Sequence, residues 1–296
     1  MALEFTIGDD AAALSTPTST EWRFVEADGL RFAYLEEGAG PLVLLVHGFP
    51  DTARTWDRVR PALAKAGYRA VSPNTRGYWP TAVPTQGDYS RERLSRDLLA
   101  LILALGETSA IVVGHDWGAD AAYGAANLAP ERVRFLVTLS IPHPASIRFT
   151  PGVMWGARHF VRLGRRNAAA FLRQDDFAYV DRLVRRWSPD WNVPPDETRL
   201  AKEVFRQPGC TEAAVGYYQA VTLRTPASQA GRIRVPSAVF CARDGVLQCS
   251  DYERAARYYD APHTIVHLHG GHFLHREYPD RFIDELLRVL PSATAR

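Results

Sequence analysis

The chain has 296 residues, 46% hydrophobic and 23% charged, enough to bury the interior of one large α/β domain or of a core with a smaller unit. Its formal net charge of +2 is too small to argue for nucleic acid or an anionic membrane as a partner, so a small molecule is expected. The three cysteines, Cys210, Cys241 and Cys249, are odd in number and lack metal-ligand spacing, and they read as buried small side chains in a reducing compartment.

Residues 1–20 have no basic segment followed by an apolar core, because Asp9 and Asp10 interrupt the one candidate stretch. No window approaches 18 uninterrupted apolar residues either. The expectation is a soluble cytoplasmic protein with an N-terminal extension over 1–20. Trp22 to Ala27 and Leu30 to Glu36, joined by Asp28-Gly29, predict a β-hairpin with a type I′ turn. Leu42 to Val46 is a continuous apolar run suited to a buried parallel strand, followed by a helix to about Lys65 and a strand over Tyr68 to Ser72. After the loop Pro73 to Ser90, Leu94, Leu98, Leu101 and Leu105 mark one face of an amphipathic helix.

The next strand leads into Gly114-His115-Asp116-Trp117-Gly118, then an alanine-rich helix to Leu128 and a strand over Arg132 to Leu139. Alternating β and α segments predict an α/β fold with a doubly wound, mostly parallel sheet flanked by helices. From Ile141-Pro142-His143-Pro144 to about Gly231 the pattern is helical with no strand signal, which predicts an inserted helical cap. The division is then core over 21–141 and 232–296, and cap over 142–231. Val235 to Cys241, Ser250 to Tyr259, Thr264 to Leu268 and Pro279 to Leu290 complete the core as strand, helix, strand and helix.

The glycine-flanked turn around Asp116 has the form of a G-x-S-x-G elbow, with aspartate where serine would stand. The substitution determines the chemistry. A serine attacking saturated carbon would leave an ether, whereas an aspartate leaves an ester that activated water cleaves. Conversely, aspartate attacking an ester or amide would form a strained anhydride, so the expected substrate is small and apolar with an electrophilic sp³ carbon.

Four segments together carry a family resemblance: His47-Gly48-Phe49-Pro50, the elbow, Asp244 just after a strand, and Gly271-His272-Phe273 just after another. Over roughly residues 22–292 the chain resembles the α/β-hydrolase fold family, in its branch of epoxide hydrolases and haloalkane dehalogenases. The resemblance implies Asp116 as nucleophile, His272 as general base toward water, and Asp244 as the acid holding the other imidazole nitrogen. Asp251 is the rival acid, but it sits in the first turn of a predicted helix, where the dipole alone favours it. Backbone N–H groups of Phe49 and Trp117 would form the oxyanion site. His47 and His115 read as loop-fixing and packing residues, and Pro50 as part of a tight, cis-compatible turn. Histidines 263, 267, 269 and 275 lack a matching carboxylate or cysteine pattern, so neither metal nor cofactor is expected.

Gly216-Tyr217-Tyr218-Gln219 resembles the late cap motif of epoxide hydrolases, which implies Tyr218 as the ring-opening proton donor. A second tyrosine, common early in that cap, is missing from Met154-Trp155-Gly156-Ala157-Arg158-His159. Trp155, His159 and Tyr179 are the substitutes considered, and Tyr217 is a further substrate-lining candidate beside the packing reading. Phe49, where several dehalogenases carry asparagine, favours the epoxide branch. Haloalkane dehalogenation by the same aspartate, and a non-catalytic receptor on a hydrolase frame, are the alternatives. Oligomeric state, a homodimer included, is left open.

Overall fold

The computed structural model describes residues 21–85, 87–148, 150–222, 224–241 and 247–293. The extension over 1–20 and Asp244 lie outside the described residues. Eight strands form one sheet: β1 (Arg23–Ala27), β2 (Leu30–Glu37), β3 (Leu42–Val46), β4 (Arg69–Pro73), β5 (Ala110–His115), β6 (Val133–Leu139), β7 (Ser237–Cys241) and β8 (His263–His267). Their spatial order is β1-β2-β4-β3-β5-β6-β7-β8. β2 runs antiparallel to both β1 and β4, and the pairs from β4 to β8 are all parallel. The hairpin turn has φ 47° at Asp28 and φ 76° at Gly29, the two left-handed positions that a type I′ turn requires.

The interior strands are apolar on both faces because both faces are covered. Along β3 and β5, Leu44, Val46 and Val112 pack on the side of α2 (Arg91–Ala104) and α3 (Trp117–Leu128). Val43, Leu45, Ile111 and Val113 pack on the opposite side with Val59 and Leu63 of α1 (Val59–Lys65), together with Phe282 and Leu286 near the C-terminus. In α2, the buried Leu94, Leu98 and Leu101 confirm the predicted face, and Ser90 caps its start by accepting the N–H of Arg93 at 3.3 Å.

Between β6 and β7 the described chain is helical: α4 (Pro151–Gly156), α5 (Arg158–Leu163), α6 (Ala168–Leu172), α7 (Gln174–Trp187), α8 (Arg199–Phe205), α9 (Cys210–Gln219) and α10 (Ala227–Ala230). After β7 come α11 (Cys249–Ala255), α12 (Leu274–Glu277) and α13 (Pro279–Val289). Among the described residues no helix is long and apolar enough to cross a membrane. The strand order reverses around β3, with β4 on one side and β5 on the other, and the loops leaving β3 and β5 open the crevice where such sheets bind ligands. His47 to Pro50 follow β3 and Asp116 follows β5.

Candidate active site

Asp116 follows β5 with φ 52° and ψ −118°, a conformation that a residue bearing a Cβ adopts only when its surroundings enforce it. The glycines explain how the turn is enforced. A Cβ on Gly114 would strike the carbonyl of Gly118, and one on Gly118 would strike the carbonyl of Val46, so strand and helix approach only because both side chains are absent. The result thrusts the carboxylate into the crevice at the start of α3.

Its two oxygens are held differently. The N–H of Phe49 donates to Oδ1 at 2.8 Å, and Nε2 of His272 lies 3.5 Å from Oδ2. Burial alone would raise the Asp116 pKa, but the hydrogen bond and charge of His272, the charge of His115 and the Phe49 amide together leave it below the ordinary carboxylate value. Trp117 opens α3 directly after the carboxylate, and its ring is buried. The Phe49–Pro50 bond is cis.

The loop carrying His272 is fixed through its main chain. Its N–H donates to the carbonyl of Trp187 at 2.9 Å, and its carbonyl accepts from Nε2 of His115 at 2.9 Å and from Oγ of Ser140 at 2.6 Å. Gly271 N–H donates to Glu277 at 2.9 Å. His115 is thus a buried packing residue as expected, its pKa pushed down to about 3 by burial and then by His272. His47 likewise fixes the loops: Nδ1 donates to the Gly48 carbonyl at 2.9 Å and Nε2 accepts the N–H of Thr75 at 3.0 Å. Asp251 is occupied as the third residue of a capping box with Gln248, whose N–H it accepts at 2.7 Å. Two groups missed in the spacing converge in space, Asp51 with His115 and His275, and Cys241 with Cys249 and His267. In the first, Asp51 is already paired with Arg276 at 2.9 Å and His275 with Thr55 at 2.7 Å. Cys249 is half-exposed, unlike the buried Cys210 and Cys241.

Tyr218 on α9 is buried over the elbow, with ring centroids 5.2 Å from Trp117 and 5.3 Å from Phe49, both nearly perpendicular. Burial, and then the negative charge of Asp116, pushes its pKa well above that of free tyrosine, so the phenol keeps its proton at neutral pH. His159 lies 5.7 Å from the Tyr218 ring and 4.8 Å from that of Trp187, and burial lowers its pKa to about 4. Tyr179, half-buried, packs its ring against Phe171 at 4.9 Å on the same side of the molecule as Arg186.

Two further sequence candidates have other partners. Trp155 is 71% exposed and stacks under the Arg158 guanidinium at 4.5 Å, because α4 lies on the outer surface of the helical insertion. Tyr217 is held by the core: its ring lies 5.9 Å from that of Trp117, and its hydroxyl donates to the Arg76 carbonyl at 2.8 Å, which joins α9 to the loop after β4. Sequence reading missed Trp187, whose ring lies 5.0 Å from His272, and Phe160, 5.1 Å from Tyr218. Trp187-Ser188-Pro189 reads as a helix breaker, and nothing in its spacing signals a contact with a loop some 85 positions later.

The model of the alpha/beta hydrolase fold matches residues 41–279, most of the chain. The chain belongs to the alpha/beta hydrolase fold family. This hydrolase is 30% identical to epoxide hydrolase A of Mycobacterium tuberculosis over 93% of this chain and 98% of that protein. It is 44% identical to an epoxide hydrolase of Caballeronia sordidicola over a shorter stretch, 40% of this chain and only 36% of that protein. The crystal structure of an epoxide hydrolase from Vigna radiata superposes with a TM-score of 0.77 at 26% identity, covering 90% of this chain and 97% of the other.

Proposed function

We propose that this hydrolase opens epoxides to vicinal diols through an ester on Asp116. A carboxylate oxygen of Asp116 attacks a ring carbon, the ring C–O bond breaks, and the departing oxygen takes the Tyr218 phenolic proton. His272 then removes a proton from water as its oxygen adds to the ester carbonyl carbon of Asp116, and the N–H groups of Phe49 and Trp117 hold the oxyanion formed. Collapse expels the diol oxygen, which takes the proton back from the imidazolium. The other water proton leaves the regenerated carboxyl and restores the tyrosine.

The observation that carries this reading is the carboxylate on a positive-φ elbow, with an amide at one oxygen, an imidazole beside the other, and a buried phenol that the charge of Asp116 helps keep protonated. Asp244, by its place in the sequence, is assigned as the acid behind His272. Tyr218 is preferred as donor because His159, with a pKa of about 4, is uncharged at neutral pH, and Trp155 faces solvent. Residues 142–231 are assigned as the cap that closes the cleft and supplies this tyrosine. The names of the relatives agree with the reaction class.

Single-turnover hydrolysis of an epoxide panel in ¹⁸O-water tests the ester. In the first turnover, label is expected in the Asp116 carboxylate and not in the diol. Label appearing directly in the diol would overturn the ester route, and failure to form any diol would overturn the epoxide reading.

A further inference from the structure

The outer face of α5 and α7 encloses a groove of about 560 Å³ walled by Arg158, Arg162, Arg165, Arg182 and Arg186, with Tyr179 in its lining. Five guanidinium groups around one concavity are costly by mutual repulsion unless carboxylates intervene. Among the described residues none of the five has an ion-pair partner, although nearby acids exist. Asp181 is committed to Lys202 at 2.7 Å and Asp176 to Arg206 at 2.6 Å. The arginines are instead braced on rings: Arg158 on Trp155 at 4.5 Å, Arg162 on Phe171 at 4.2 Å and Arg182 on Tyr179 at 5.7 Å. Aromatic bracing orients the planar forks without neutralising them.

The groove abuts the reaction centre. Arg186 Nη2 lies 3.4 Å from Nδ1 of His159, and that histidine packs on Tyr218 and Trp187, the rings that cover Asp116 and His272. Burial, and then the adjacent Arg158, depresses the Arg186 pKa, as expected of an uncompensated cation pair, while Asp116 and Arg186 act on His159 with opposite sign. One side of the insertion is therefore aromatic and reactive, and the next is cationic and open.

We infer that this groove receives an anionic end, carboxylate or phosphate, of the molecule whose electrophilic carbon meets Asp116. The inference rests on the epoxide reading and narrows it: the preferred substrates are epoxides bearing an anion at a distance from the ring, not the wholly apolar molecules that net charge and elbow chemistry suggest. Guanidinium forks suit both oxyanions bidentately.

The test uses terminal epoxyalkanoates of increasing chain length, their methyl esters, the matching epoxyalkyl phosphates, and the triple variant Arg162→Ser/Arg165→Ser/Arg182→Ser of the full chain. For the wild type, kcat/KM is expected to favour the anion over its ester by about tenfold or more at one chain length, chiefly through KM, and that preference should shrink as salt is raised. In the triple variant the anion-to-ester ratio should fall toward one, and the acid and phosphate series show which oxyanion is preferred. Calorimetric titration with alkanoate and alkyl phosphate lacking the ring reads the groove without catalysis. Esters turned over as well as anions by the wild type, or a ratio unmoved in a variant with wild-type circular dichroism, would overturn the inference and leave the epoxide reading intact. Alkanoate binding that the variant abolishes, with no epoxide hydrolysed, would instead overturn the epoxide reading and the substrate class with it.

Discussion

Oδ1 of Asp116 accepts the main-chain N–H of Phe49 at 2.8 Å, which aligns the proposed nucleophile with a proposed donor of the oxyanion site. The same amide serves twice in the proposed cycle. It helps keep the carboxylate ionised for attack, and it faces the acyl oxygen once that carboxylate has become an ester. Preorganisation of this kind depends on how closely two loops approach, which makes their glycines sensitive positions.

Gly48→Ala tests that approach. A Cβ at Gly48 would collide with the Asp116 side chain and come within 2.7 Å of the His115 carbonyl. Displacement of the carboxylate by a fraction of an ångström to about 1 Å is expected to lower kcat by about 10²-fold. Rate and circular dichroism measured on the same preparation distinguish lost alignment from lost fold. Wild-type kcat in the variant would contradict the placement of Gly48 against the Asp116 carboxylate.

Tyr218→Phe removes the proposed acid while keeping the ring that packs between Phe49 and Trp117. Ester formation on Asp116 should slow by about 10²–10⁴-fold, the range for loss of a positioned proton donor. Hydrolysis of the ester, once formed, should change little. Rapid-quench mass analysis of the intact protein separates the two steps, and an unchanged rate of ester formation would remove Tyr218 from the mechanism.

Much of the frame was legible because its signals are local. The apolar runs of β3 and β5, the leucine face of α2 and the turn at Asp28-Gly29 each state their structure within a few residues. The elbow was legible for the same reason, since Gly114, Asp116 and Gly118 belong to one turn. The functional faces of the helical insertion were not, because they depend on packing between distant segments. Trp155 and His159 differ by one helical turn in sequence, yet one lies in solvent and the other against Tyr218. The arginines of α5 and α7 are visible in the sequence, but a net charge of +2 averages them with acids that pair elsewhere.

Trp155→Ala should leave kcat/KM for a neutral epoxide within about twofold, as for most exposed positions. Its ring is 71% exposed, and among the described residues its ring contact is with Arg158. A fall of about tenfold or more would return Trp155 to the cleft.

Tyr217→Phe should behave in the opposite way, costing stability more than turnover. The hydroxyl lost is buried and donates to the Arg76 carbonyl at 2.8 Å, a bond worth about 1 kcal/mol, with a further penalty for the carbonyl left behind. Urea denaturation should show a lower midpoint with an unchanged slope. An unaltered midpoint would mean that this bond does not anchor α9 to the core.

Stability should also decline in mildly acidic solution. Burial lowers the pKa of His115 to about 3 and those of His143 and His263 to about 4, from an ordinary value of 6.5. An unfolded chain takes up protons on these rings as pH drops through 6.5, while the folded chain resists until about 4 or below. The unfolded state therefore binds more protons in that window, and stability present at neutral pH is lost as pH falls from 6.5 toward 4. For the fully buried His115 the loss is of order 1.4 kcal/mol per pH unit. The depressed Asp116 acts at lower pH, its contribution disappearing as the solution passes below its folded pKa. Calorimetric melting at about pH 7.5 and about pH 5 should show a clear drop in Tm, with net proton uptake on unfolding at the lower value. Equal Tm at both would mean that these imidazoles are solvated enough to titrate normally in the fold.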